Sequence, residues 1–349
     1  MFKVYNILFL ISTVVFVVSC KTDVKQTSTK TEPTEMELRS GEALAATIDG
    51  RKLNEWQELP EVKTQKEKEL AELRMKYLQK QGDVSAYLNY ARSYLSVGRI
   101  ENAIDILDRA ATKFPNTADV FYWRGLSAFT GRHFADVNDD LLKTAQLLES
   151  QKNYKGILPL HGVDSILDPT LQYNTYLTLG QNFQATGDFE NAGQMYEIIG
   201  DFSTNPDLWT LTYYWQYQCY ARGSRLKEAQ EILAKVDKTK QTLAPFRAYL
   251  DAILFWRGDI KESQLVDINK KPSNAEEAKD WLIKSYAVIV KHMLNNDEAM
   301  AAKVCKIIDE AGYWNQPAAV LAEADAARLK NISIPTTQKI NLSGSRKQE

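Results

Sequence analysis

Large and small side chains recur along this chain at an interval of 34 residues, and no other feature restricts the fold as strongly. The stretch from 84 to 117 carries Tyr87, Tyr90, Ala91, Tyr94, Gly98, Ala103, Leu107, Ala110 and Pro115. One interval further on stand Phe121, Gly125, Ala128, Val137, Leu141 and Thr144. A third copy, LGQNFQATGDFENA, holds Leu179, Gly180, Phe183, Gly187, Asp188, Phe189 and Ala192, followed by Tyr196. A fourth carries Tyr213, Tyr217, Tyr220, Ala229, Leu233 and Val236. Self-similarity at a fixed period of this length marks a stack of one supersecondary unit, because a single copy cannot bury its own apolar face. Within each copy the apolar residues fall at helical spacing, so the expected unit is a pair of helices.

The pattern resembles the tetratricopeptide repeat, in which large residues at unit positions 4, 11 and 24 alternate with small ones at 8, 20 and 27. Small residues at 8 and 20 let the two helices of a unit cross closely, and a larger side chain would push them apart. Gly98 and Gly187 fall where the first helix must stop and turn. The copies start at residues 84, 118, 173, 210 and 244. Arg124 and Gln216 stand where position 7 is usually apolar, and Tyr217 where position 8 is small, which predicts a looser crossing in the fourth copy. The resemblance implies an all-α superhelical solenoid of about five to six helix pairs. Ahead of it, Leu70, Leu73, Tyr77 and Leu78 predict an amphipathic lead-in helix. Segments around Glu276 to Met293 and Glu298 to Glu310 look like a degenerate pair, and the run from Pro317 to Leu329 like a capping helix.

The resulting organisation is a leader at 1–19, a tether at 20–47, a lead-in segment and helix at 48–83, two units at 84–148, an inserted loop at 149–170, further units with a helical cap at 171–330, and a frayed tail at 331–349. The leader has Lys3 before an uncharged run from Val4 to Val18 that ends in Val17-Val18-Ser19-Cys20. As a helix that run reaches roughly 22 Å, short of a hydrocarbon core of about 30 Å, so a cleaved signal fits better than a spanning helix. Its end resembles the bacterial lipobox, which implies that Cys20 becomes the acylated first residue of the mature protein. Lys21 stands in place of the Asp that retains enterobacterial lipoproteins at the inner membrane, so the outer membrane is the expected destination. The polar, Thr-rich stretch after Cys20 reads as a flexible tether.

Composition narrows the function further. With 43 basic and 45 acidic side chains the charge is nearly balanced, and nucleic acid, which demands a basic stripe, is not an expected partner. The chain has only 3 Cys, too few for a disulfide scaffold. Cys219 and Cys305 lie among apolar neighbours and read as packing residues, though a bridge between them is open. His133, His161 and His292 lack the spacing of a zinc-hydrolase helix, and no phosphate loop, dinucleotide fingerprint or nucleophile elbow occurs. No metal, cofactor or enzymatic activity is therefore expected. The insertion at 149–170 is either a ligand loop or a cover that tucks Ile157, Leu158, Ile166 and Leu167 over an apolar seam.

What remains is a surface. In repeats of this family the first helix of each unit lines a concave groove. The positions carried over are Leu88, Arg92 and Leu95, then Tyr122, Leu126 and Phe129, then Asn174, Leu177, Gln181 and Gln184, then Tyr214, Gln218 and Arg222, and finally Phe255 and Trp256. Such a lining of rings and amides suits an extended or helical peptide. The carboxylate clamp of chaperone-binding members is not matched, since Leu88 and Arg92 stand at its positions. The expected function is a lipid-anchored adaptor that holds a protein partner at the cell envelope through this groove. The alternative is a glycan- or small-ligand-binding lipoprotein similar to the SusD-like proteins, which carry larger ligand loops. Oligomeric state is open.

Overall fold

The computed structural model describes residues 45–53, 59–151, 153–157, 169–237 and 243–336. All of them belong to one compact unit, Ser40–Glu349. The leader, Cys20, most of the tether, the centre of the insertion with His161 and the end of the tail lie outside the described residues. The described chain is almost wholly helical. Its helices are α1 (Pro60–Gln79), α2 (Val84–Ser96), α3 (Ile100–Lys113), α4 (Ala118–Thr130), α5 (Phe134–Leu147), α6 (Leu171–Thr186), α7 (Phe189–Gly200), α8 (Pro206–Arg222), α9 (Leu226–Lys235), α10 (Arg247–Arg257), the four-residue α11 (Glu262–Leu265), α12 (Ala275–Leu294), α13 (Glu298–Ala311) and α14 (Pro317–Leu329). Two short antiparallel strands, β1 (Ala45–Ala46) and β2 (Lys52–Leu53), pair Ala45 with Leu53.

Local chemistry sets the helix boundaries. The side chains of Asp83, Thr170, Asp188, Asn205, Asn274 and Asp297 cap α2, α6, α7, α8, α12 and α13 by accepting from a backbone N–H of the first turn. Pro60, Pro206 and Pro317 open α1, α8 and α14, where the missing N–H costs no helical bond. Turns between paired helices place one residue in the left-handed region: Gly98, Arg132, Gly187, Ser224, Gly258 and Asn296. The steps from Gly98 to Arg132 and from Ser224 to Gly258 each equal the sequence period, so the backbone repeats where the side chains do.

Each helix from α1 to α9 packs on the next, α10 packs on α8 and α12, and α12 to α14 pack in series. Residues from α4 to α14 share a continuous apolar core, while Leu70, Tyr77, Tyr87, Leu88 and Tyr90 belong to a second cluster around α1 to α3. Two features differ from expectation at the amino-terminal end. Leu78 is 48% exposed, because it lies about 100° around α1 from the buried Tyr77. The last residues of the stretch read as tether form part of the β1–β2 hairpin. That hairpin is held to the carboxy-terminal helices: the Ile48 N–H donates to Glu323 at 2.6 Å and Arg51 pairs with Asp309 at 2.9 Å. After α10 there is no full second helix, only α11 and a loop before α12.

Small residues sit where neighbouring helices come closest. A Cβ added at Gly125 would lie 2.9 Å from the Leu141 side chain, and one added at Gly180 would fall against the ring of the fully buried Tyr196. Gly180→Ala is therefore expected to cost about 1–3 kcal/mol, since Tyr196 has no vacant rotamer space to move into. Urea denaturation checks this; an unchanged midpoint would show that α6 and α7 separate freely. The polar departures from the repeat pattern have their own partners. Arg124 bonds Asp140 at 2.6 and 2.8 Å and Asp108 at 2.7 Å, and Gln216 donates to the Tyr196 carbonyl at 2.9 Å. The bulk of Tyr217 goes to α10, where its ring stacks on Trp256 with centroids 4.7 Å apart.

Candidate functional site

The inner face of the array is not an open groove. Most of the side chains expected to line it are buried, with Leu88, Gln184, Tyr214 and Gln218 at 0% exposure. For the residues of α6, α8 and α10 the cause is the carboxy-terminal segment, which folds back so that α12 and α14 lie on these helices. The Tyr214 hydroxyl donates to the Ile283 carbonyl at 3.2 Å and the Trp256 indole N–H to the Ala287 carbonyl at 3.0 Å. Gln184 donates to the Gln218 side chain at 2.9 Å and to the Tyr286 hydroxyl at 3.2 Å. Phe129 packs in the core against Phe134, with centroids 6.0 Å apart.

A charged network locks this cover. Asp325 of α14, wholly buried, takes hydrogen bonds from both Arg222 Nη atoms, from Arg328 Nη2 at 2.5 Å and from the Tyr286 hydroxyl at 3.0 Å. Arg328 also donates to the Ala185 carbonyl of α6 at 2.6 Å. Burial pushes the Asp325 carboxyl up, but the Arg222 and Arg328 guanidiniums override it and hold it below the usual carboxylate range. Burial pushes the Tyr286 phenol far above its ordinary value, so it stays protonated and can donate. Arg222 is thus held as a structural cation, its side chain turned to buried partners and only 6% exposed.

Arg92 lies apart from this network. Its guanidinium stands 4.8 Å over the Trp123 ring, and its Nη2 is buried with no hydrogen-bond partner among the described residues. Burial depresses its pKa.

Between this cover and α4, α6, α8 and α10 lies a recess of about 200 Å³. Tyr122 and Leu126 of α4, Tyr173, Asn174, Leu177, Thr178 and Gln181 of α6, and Leu208, Leu211 and Trp215 of α8 form one side. Tyr249 of α10, Lys279, Leu282 and Ile283 of α12, and Gln316, Pro317 and Ala318 at the start of α14 form the other, with Pro169 at the edge. Of the expected groove residues, Tyr122, Leu126, Asn174, Leu177 and Gln181 reach it. Sequence reasoning missed Tyr173, Trp215, Tyr249 and Gln316, although Tyr173 and Trp215 lie one residue from positions it did select. Rings supply contact area here and three amides supply direction, the composition of a recognition pocket. Its ionisable lining is Lys279 and tyrosines, with no carboxylate, imidazole or thiol among the residues that form it.

The edge of the insertion is anchored beside this site. Asp119 at the start of α4 accepts from the Tyr154 hydroxyl at 2.8 Å and the Ile157 N–H at 2.6 Å. Cys219 and Cys305 are unpaired and buried. Burial pushes the Cys305 thiol up to about 12 and the Cys219 thiol higher still. Since the thiolate is the reactive form, both are expected to react with maleimide only as the chain unfolds, and mass spectrometry along a urea series checks this. Labelling of either in the native protein would contradict the packing. Among the described residues no helix is long and apolar enough to cross a membrane, and no group of three metal-ligating side chains occurs. Neither protein-family models nor curated proteins give a match to this chain.

Proposed function

We propose that this protein is a lipid-anchored adaptor of the tetratricopeptide type. It is tethered to the bacterial outer membrane through acylated Cys20 and holds a protein partner by one short segment inserted into the concave recess. The observation that carries this reading is the recess itself, a ring-and-amide pocket built by α4, α6, α8 and α10 beneath the chain's own carboxy-terminal cover. The 34-residue recurrence of left-handed turn residues supports the repeat type. A long extended peptide is not the ligand, because α12 and α14 already occupy the face of α6, α8 and α10 that it would follow. A volume near 200 Å³ suits one or two side chains or a chain end, with the rings as walls and Asn174, Gln181 and Gln316 bonding the backbone that enters. A second reading, capture of a glycan end, is favoured by the same rings and amides, since sugars offer flat C–H faces and hydroxyls.

A photo-crosslinking residue at Leu177, in intact cells, separates the two. The adaptor reading predicts a discrete protein adduct from Leu177, absent from a control probe at the exposed Glu190 and lost when Leu126→Trp fills the recess. No adduct above the control would sink it. Saturable oligosaccharide binding to the purified protein, lost in Leu126→Trp, would install the second reading in its place.

A further inference from the structure

A second recess, of about 550 Å³, lies between the β1–β2 hairpin, α13 and α14, and shares no residue with the concave one. Its walls are Ala299, Ala302 and Cys305 of α13 and Ala326, Ala327 and Leu329 of α14, with Ile48 and Ile332 at its edges. Apart from the thiol of Cys305, these side chains offer nothing that forms a hydrogen bond, and the Ala326 and Ala327 carbonyls at the end of α14 are already taken by the N–H groups of Lys330 and Ile332. Between the two helices a peptide or sugar would lose water from its polar groups and find partners only at the charged rim, whereas a hydrocarbon chain has none to lose.

The rim adds a sign. Its carboxylates are already engaged: Asp309 by Arg51 at 2.9 Å, Glu323 by Arg132 at 2.7 Å and by the Ile48 N–H, and Asp49 by Thr47 at 2.5 Å. Lys303 and Lys330 are exposed at the same rim and form no close ion pair among the described residues, although the Lys330 charge helps hold the Asp49 carboxyl below its ordinary value. We propose that this recess binds the acyl chain of a fatty-acid-type amphiphile, with its methylenes between α13 and α14 and its carboxylate at Lys303 and Lys330. The apolar walls set the ligand class, and the exposed ammonium groups set the charge of its head. The inference stands independently of the adaptor reading.

Displacement of a fluorescent fatty acid from residues 21–349, which retain the whole compact unit, tests it with n-alkyl carboxylates of increasing length below their micelle concentrations. Affinity is expected to rise by about fourfold per added methylene and to level off once the chain outgrows the recess. Ala302→Trp, at an exposed position of α13, should abolish binding. Lys303→Glu combined with Lys330→Glu should weaken it by about tenfold or more, while Leu126→Trp in the concave recess leaves it unchanged. Affinity that ignores chain length, equal binding of the matching n-alkanols, or undiminished binding by a folded Ala302→Trp variant would each overturn the assignment.

Discussion

Asp325→Ala is expected to lower the unfolding free energy by about 3–5 kcal/mol, one of the two largest effects anticipated for this chain. Removing one member of a buried ionic cluster leaves the others uncompensated, and here Arg222 and Arg328 would both lose their carboxylate. Arg222 has no water to turn to, with its side chain only 6% exposed. The partly exposed pair Arg51–Asp309 serves as the contrast, and Arg51→Ala should cost about 1 kcal/mol or less. Adding Arg222→Met to Asp325→Ala should recover part of the loss, because the orphaned cation goes with it. The same cluster fixes a pH dependence. The folded-state pKa of Asp325 lies below its unfolded value of about 3.9, so its contribution is complete above about pH 5 and is lost as pH falls through the folded value. Asp325→Asn should therefore show a shallower acid limb than the parent chain in denaturation followed from pH 6 to 2.

Trp256→Ala should cost about 3–5 kcal/mol. The indole lies against both Tyr214 and Tyr217, at centroid distances of 5.1 and 4.7 Å, and its N–H bonds the Ala287 carbonyl. Truncation opens a cavity among rings that cannot close over it and removes a buried hydrogen bond between α10 and α12. Were Trp256 the lining of an open groove, the same change would spare stability and weaken only ligand binding. Equilibrium urea denaturation decides between the two, and a loss below about 1 kcal/mol would restore the open groove.

The helices were legible because their signals are local. Apolar side chains recur at helical spacing within each copy, and Gly98 and Gly187 announce turns. The close approaches at Gly125 and Gly180 follow from the repeat pattern, since a small residue recurring at a fixed offset marks a place where two helix backbones nearly touch. The closing of the inner face was not legible. It depends on Arg222 meeting Asp325, 103 residues later, and on Gln184 meeting Tyr286 across 102. Positions carried over from a repeat family assume that its concave side is free.

One signal did point the other way. The run PAAVLAEADAARL from Pro317 to Leu329 is apolar nearly all the way round, which describes a buried helix rather than a cap with one wet face. An aspartate in the middle of such a run needs a cation from elsewhere in the fold, and Arg222 at the end of α8 provides it. The recess was half legible for a related reason. Tyr122, Asn174 and Gln181 come from first helices, which the repeat identifies, whereas Lys279 and Gln316 come from the segment whose return no local pattern encodes.

Native-state hydrogen exchange at the backbone amides of Leu321 to Arg328 tests the closed inner face most directly. If α14 is part of the core, these amides open only with the whole molecule. Their exchange free energies and denaturant dependence should then equal those of the most protected amides in α6 and α8. Exchange of α14 at the rate of an exposed helix, while α6 and α8 remain protected, would mean that the carboxy-terminal cover is detached in solution and the long groove is open.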